Sequence, residues 1–296
     1  MKKLLMDLSK PLNLPITRAI LKKHYRSSKP LSELNEVRRV LVLAPHMDDE
    51  TIGLGGTIKK HAKAGAEVHC VFVTDGSGSV SALDQKALSE ARKQEIDRVQ
   101  EILGISHVYY LDLPDGSVRS DAASQMKLLD LLESVNPEMI YCPPFVDCHP
   151  DHTATTQLLS DALKQWQAGN SLIRLYEVNC PIPPGEINCV IDISNEFPDK
   201  KKAVNVFESQ TIAFDGFLEL NRIKTNLTNQ HHINAAEVFV ELPAKDFVEQ
   251  FDRLAAKQYS YGTLFKQANR TVTLLWAVFQ NYARKREIYK ERHKEV

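Results

Sequence analysis

From residue 38 onward the chain alternates short apolar runs with longer amphipathic ones. That rhythm limits its fold more than any other feature. Residues 39–44 (RVLVLA) form a short, apolar, partly β-branched run that reads as a buried strand. Residues 51–65 read as a helix ending at Gly65, and 67–74 (EVHCVFVT) as a second strand. Residues 76–79 (GSGS) make a loop, and 83–103 a long amphipathic helix stopped by Gly104. The pattern continues with a strand over 107–111, a helix over 121–135, a strand over 139–142 and a helix over 152–167. Later strands are expected at 173–178 and 189–193. Strands that alternate with helices across short loops imply βαβ units. The expected fold is therefore α/β: a Rossmann-like, mostly parallel sheet with helices on both faces. Ligands in such folds bind at the carboxyl ends of the strands. The loops at 45–50, 75–79, 112–118 and 143–152 should then converge on one crevice. Residues 1–36 and 246–296 stand outside the alternation as helical N- and C-terminal additions around a central domain at 37–245.

Composition agrees with a soluble globular chain: 296 residues, 43% hydrophobic and 25% charged. The net charge of −1 conceals a division. Residues 1–40 carry a net of +7, residues 41–280 a net of −11, and residues 281–296 a net of +3. The acidic body opposes a nucleic-acid backbone, so nucleic acid is set aside as a partner. The basic ends, with apolar residues at Ile16, Ile20 and Leu21 and at 274–279, suit peripheral contact with anionic lipid. A packing or homo-oligomer helix with a solvated basic tail is the preferred alternative. Five cysteines, an odd number with no CxxC pair, point to reduced thiols and a cytoplasmic compartment. Asp7, Ser9 and Lys10 interrupt the N-terminal apolar run, which argues against a cleaved signal.

The first strand ends in Pro45-His46-Met47-Asp48-Asp49-Glu50, and the fourth leads through Pro143 and Pro144 to His149-Pro150-Asp151-His152. Both segments fall where the crevice is expected. Imidazole and carboxylate at a site with an open position suit a catalytic divalent metal, most often zinc. Such a metal lowers the pKa of a bound water to about 7. A neighbouring carboxylate can take its proton, and a further His can steady an oxyanion. The bland alternative makes Asp48 or Asp49 the cap of the helix that follows. Gly53-x-Gly55-Gly56 invites a dinucleotide reading, but Ile58 stands where the third glycine belongs. Close helix–strand packing explains those glycines better. Loop 76–79 serves a sugar or phosphate contact and a plain flexible loop equally well.

PHMDDE followed about a hundred residues later by HPDH resembles the PIG-L/LmbE-like family of zinc-dependent N-acetylglucosaminide deacetylases. Further pieces match: Thr74-x-Gly76, Arg92-x-x-Glu95, Asp115-Gly116, a late Asp192…Lys201 or Lys202…Ser209-Gln210 segment, and Ala236-Glu237-x-Phe239. The resemblance implies that His46, Asp49 and His152 bind the metal. That metal would be zinc, with Fe2+ the other divalent candidate. Asp48 becomes the general base, and His149 the electrostatic stabiliser or general acid tuned by Asp151. Arg92 and Asp115 reach the substrate, an N-acetylated amino-sugar conjugate. Hydrolysis of another N-acyl amide, or metal-ordered sugar binding without turnover, are the alternatives. Met47 replaces the proline usual in the family's turn, which should loosen that turn. Cys148 beside His149 reads as a small buried residue rather than a ligand.

Overall fold

The computed structural model describes residues 2–78, 84–166, 171–209 and 213–293, with side chains from residue 10 onward. Ser79, residue 83, residue 167, Gln210 and the last three residues of the basic tail lie outside the described residues. In chain order the elements are α1 (Lys2–His24), β1 (Arg39–Ala44), α2 (Asp49–Lys63), β2 (Glu67–Thr74), α3 (Gln85–Leu103) and β3 (His107–Leu113). Then come α4 (Ala122–Val135), β4 (Met139–Cys142), α5 (Pro150–Gln165), β5 (Leu172–Tyr176), β6 (Cys189–Asp192), α6 (Phe197–Val204) and α7 (Asp215–Ile223). The chain ends with β7 (Ala236–Pro243), α8 (Ala244–Ala255), α9 (Tyr261–Leu264), α10 (Leu274–Phe279) and α11 (Tyr282–Glu291).

Seven strands form one sheet in the order β3-β2-β1-β4-β5-β7-β6. The first five are parallel, and β7 runs antiparallel to both of its neighbours. Residues 40–44 of β1 are all buried. Helices cover both faces there, which is why the strand reads as an unbroken apolar run rather than an alternation. The chain reverses direction of travel across the sheet between β1 and β4, and a crevice opens at their carboxyl ends.

Local chemistry places the helix ends. The Asp84 carboxylate accepts from the Ala87 N–H to start α3, and Gly104 at φ 78° stops it. α5 begins earlier than the expected 152, because Pro150 pre-sets the first helical φ and His149 occupies the cap. α2 begins at Asp49 and kinks at Leu54. Its glycines serve packing: a Cβ on Gly53 would sit 2.2 Å from the Tyr176 ring, and one on Gly56 2.8 Å from Ile193. Glu237 of β7 accepts from the N–H groups of Gly56 and Thr57 and from Lys200 Nζ at 2.6 Å. Lys200 and Glu237 are both fully buried. Of the three consecutive lysines, Lys200 is the buried one, while Lys201, one of the two named for the late motif, is half-buried and Lys202, the other, exposed. Only Lys200 lies on the α6 face that meets α2.

The N-terminal segment is helical only through His24; residues 27–36 carry no regular secondary structure. Ser27 and Lys29 donate to Asn226 and Leu227, and Ser32 pairs with Val190 of the edge strand β6. No helix among the described residues is long and apolar enough to cross a membrane.

Candidate active site

The acidic turn between β1 and α2 is clamped from β2. The Pro45 carbonyl accepts from Thr74 N–H at 3.0 Å and from its hydroxyl at 2.8 Å. Gly76 follows at φ +69°, where a Cβ would approach Met47 Cε to 2.6 Å and Arg92 Cδ to 2.9 Å. Met47 is fully buried. The turn that was expected to loosen without proline is thus held by packing and by the Thr74 clamp. Asp48 stands at the N-cap of α2 but makes no side-chain capping bond. Its carboxylate borders the cleft instead.

Asp49 lies at the centre. Its Oδ2 accepts from the His46 N–H at 2.9 Å and lies 3.1 Å from His46 Nδ1 and 3.2 Å from His152 Nε2. The opposite nitrogen of each ring faces another acid. His46 Nε2 is 3.2 Å from Asp151 and 3.5 Å from Asp115; His152 Nδ1 is 3.4 Å from Asp147. Two imidazoles whose inner nitrogens meet at one carboxylate, each backed by an outer carboxylate, match the second-shell pattern of histidine metal ligands. The chemistry of these donors suits a divalent metal, and one ligand atom from each of His46, Asp115 and Asp151 lies within 4.8 Å of the others. The nitrogens of His149 also lie within 4.8 Å of those of His46 and His152, at the edge of the same cluster.

The titration of these groups follows from the same geometry. Burial works to lower the His152 pKa, but the charges and hydrogen bonds of Asp49 and Asp147 push it up to about 10. Burial likewise opposes protonation of His46, and Asp115, Asp151 and Asp49 outweigh it. Asp49 is held well below its usual range against burial by the two imidazoles. A divalent cation meets the same concentration of negative charge that these protons do. His149 moves the other way: burial lowers its pKa first, then the charges of His46 and His152.

Asp151 acts on His149 as a charge that works to raise its pKa, behind the larger effects of burial, His46 and His152. Its carboxylate sits behind His46, accepting from the N–H groups of Gly116 at 2.6 Å and Val118 at 3.1 Å. It is the Asp151 backbone N–H that meets His149 Nδ1, at 3.3 Å. The first turn of α5 directs the side chain inward, while the cap geometry gives His149 only the backbone. Asp147 was missed by sequence reading. It is buried and accepts from the His149 N–H at 2.8 Å and from Asn179 N–H and Nδ2 at 3.1 and 3.0 Å. Its place two residues before His149 was the available signal. Cys148 groups with Asp147 and Cys180, outside the donor set on Asp49.

The cleft holds about 220 Å³ and brings together seven of the eight expected site residues: His46, Asp48, Asp49, Arg92, Asp115, His149 and His152. Asp151 stays behind them. Arg92 lies 3.9 Å from Asp115, which also accepts from the Gly78 N–H at 3.1 Å. Ile52, Val178, Asn179, Phe217 and Gln267 complete the wall, and sequence reading had named none of them. Asn179 is buried, and with its Nδ2 donating to Asp147 its Oδ1 has no hydrogen-bond partner among the described residues.

Comparison with known proteins agrees with this arrangement. A sequence model described as PIG-L: GlcNAc-PI de-N-acetylase matches residues 41–163. The chain is 31% identical over 195 residues to a diacetylchitobiose deacetylase of Thermococcus kodakarensis, covering 60% of this chain and 71% of that protein. It is 25% identical to a 1D-myo-inositol 2-acetamido-2-deoxy-alpha-D-glucopyranoside deacetylase of Kineococcus radiotolerans, over 67% of this chain and 76% of that one. Among solved structures, N,N'-diacetylchitobiose deacetylase from Pyrococcus horikoshii, complexed with its inhibitor MPG, superposes with a TM-score of 0.62 at 26% identity. That match covers 72% of this chain and 86% of the other. The acidic turn and the HPDH loop face each other across one crevice, and the family's sequence runs through both, so the chain belongs to the PIG-L family of GlcNAc-type de-N-acetylases.

Proposed function

We propose that this metal-dependent deacetylase removes the acetyl group from the amine of an N-acetylglucosamine-type sugar conjugate, with zinc held by His46, Asp49 and His152. The observation that carries the reading is the convergence of His46 Nδ1 and His152 Nε2 on Asp49, with Asp48 and His149 open to the same cleft. When bound, the metal lowers the pKa of a water and polarises the amide carbonyl.

Asp48 accepts the proton of the attacking water. The water oxygen bonds to the acetyl carbon, the C–N bond breaks, and the proton passes to the leaving amine. Acetate and a free amino sugar result. His149 receives a backbone N–H at Nδ1, so the neutral ring carries its proton on Nε2. Burial favours that neutral form. It therefore donates a hydrogen bond to the developing oxyanion rather than supplying charge. Arg92 and Asp115 hold sugar hydroxyls, and Asn179 Oδ1 accepts from a hydroxyl or from the amide N–H. Five unbridged cysteines support a reducing, cytoplasmic compartment.

Acetate release from a panel of N-acetylhexosamine conjugates tests the reading on metal-replete protein. Asp48→Asn should lower kcat by a factor of about 10² to 10⁴ while leaving metal content unchanged. Turnover confined to N-acyl amides without a sugar overturns the substrate class. Tight sugar binding with no acetate released makes the protein a binding module instead.

A further inference from the structure

Large apolar side chains are exposed at six positions among the described residues, and five of these share one face. Leu12 (79% exposed), Ile16 (58%) and Ile20 recur every fourth residue along α1, so they form one stripe. Trp276 (57%) and Phe279 project from α10. Asn13 Nδ2 donates to the Val272 carbonyl in the turn before α10 at 3.3 Å, and the two helices meet where His24 packs edge-on against the Phe279 ring at 4.9 Å. The opposite side of α1 faces the body, where Lys10 approaches Asp215 and Arg18 approaches Glu219, each to 2.6 Å. Those acids are thereby answered, and the outer stripe owes nothing to them.

The charge around the stripe has one sign. Between Asp7 and Glu33 the chain carries six Lys or Arg and no acid; between Asp252 and Glu287 the acids are absent again. Lys22, Lys23 and Arg26 flank the stripe as exposed cations, and Lys266 Nζ lies 4.6 Å above the Trp276 ring. A protein whose central body is net −11 has gathered its cations around its most apolar surface. Apolar and aromatic groups rimmed by cations are what an anionic bilayer interface selects. We propose that the face of α1 and α10 is a peripheral docking surface for anionic lipid.

The same stretch of chain leads from Gln267, on the cleft wall, into Trp276. Phe217, also on that wall, belongs to α7, which α1 grips through Arg18 and Lys10. The docking face is thus joined, through α7 and residues 267–276, to two residues of the cleft wall. The inference extends the sugar-conjugate reading by placing the conjugate at a membrane. It is tested with no substrate present, so failure of either leaves the other standing.

Full-length protein is sedimented with phosphatidylcholine vesicles, plain or containing about one third phosphatidylglycerol. The expected result is pelleting with the anionic vesicles and several-fold weaker pelleting with the neutral ones. Ile16→Ser with Trp276→Ser should weaken binding by on the order of tenfold or more, since both side chains leave the apolar phase. Thermal midpoint and turnover of a water-soluble N-acetylhexosamine conjugate should not change. Lys22→Glu with Lys23→Glu should erase the preference for anionic vesicles. Wild type that fails to pellet, or pellets equally after both double substitutions, overturns the proposal. So does a concentration-dependent dimer that ignores vesicles and dissociates on Ile16→Ser with Trp276→Ser, which would make this face an interface between copies.

Discussion

Replacing Asp147 with Asn separates positioning of His152 from the ligands themselves. The exchange keeps shape and volume, and it converts one carboxylate oxygen into a donor. Asp147 Oδ1 accepts two N–H groups, from His149 at 2.8 Å and Asn179 Nδ2 at 3.0 Å. Oδ2 accepts the Asn179 N–H at 3.1 Å and faces His152 Nδ1 at 3.4 Å. An asparagine keeps the better pair by placing its oxygen on the first side. Its NH₂ then opposes the Asn179 N–H and His152 Nδ1. One buried donor is left unmade, costing about 1–3 kcal/mol of stability. The His152 ring responds by accepting at Nδ1, which moves its proton to Nε2, the nitrogen 3.2 Å from Asp49. A protonated nitrogen cannot ligate. Loss of such an outer partner typically weakens metal binding by about 10- to 100-fold. Calorimetric titration of metal-free protein with zinc should show that rise in Kd, and excess metal should restore part of kcat. An unchanged Kd alongside a lowered melting temperature would refute the claim that Asp147 orients the ligand, leaving it a purely structural acceptor.

Three further expectations follow from the geometry. Gly53→Ala drives a Cβ to 2.2 Å from the Tyr176 ring, so overpacking should cost about 1–3 kcal/mol and lower the melting midpoint by several degrees in calorimetry. His61 is buried with its Nε2 2.8 Å from the Tyr141 hydroxyl, and burial lowers its pKa to about 3. Its folded value lies below its unfolded one, so its contribution is complete above pH 6.5 and drains away as pH falls from 6.5 toward 3. Urea melts of wild type should then lose roughly 1 kcal/mol per pH unit more than His61→Leu across that window, and parallel slopes would refute the burial argument. Asn179→Ala removes the acceptor at the cleft wall and should raise KM for the sugar conjugate about 3- to 10-fold, measured at saturating metal.

The sheet was legible because it is buried on both faces. Continuous apolar runs such as 40–44 carry their own signal, and the glycine at 104 marks an end that the backbone requires. Boundaries were less legible where the motif itself starts a helix. Pro150 and Asp49 open α5 and α2 from inside the motifs themselves, so residues that read as loop are already helical. The residues proposed as metal donors stood out for a related reason. Their chemistry is concentrated in two short segments, each at the carboxyl end of a strand, and the order of strands forces the segments together.

What stayed hidden is whatever depends on distance in the chain. Nothing in the run around Asp151 says that its carboxylate reaches back to His46, because the contact spans more than a hundred residues and is fixed by how the first turn of α5 enters the crevice. Lys200 and its neighbours are three lysines in a row, and only the approach of α2 and β7 chooses the one to bury. Phe217 and Gln267 carry no motif at all. They come from the part of the chain beyond the βαβ pattern, yet they line the same cleft as the acidic turn. The catalytic groups are thus supplied by the recognisable core, while the wall the substrate's attached group must pass is built by segments whose sequence speaks only of packing and charge. It follows that relatives sharing the acidic turn and the HPDH loop can differ in what they accept, and that exchange of residues 265–273 should move substrate preference before it moves kcat.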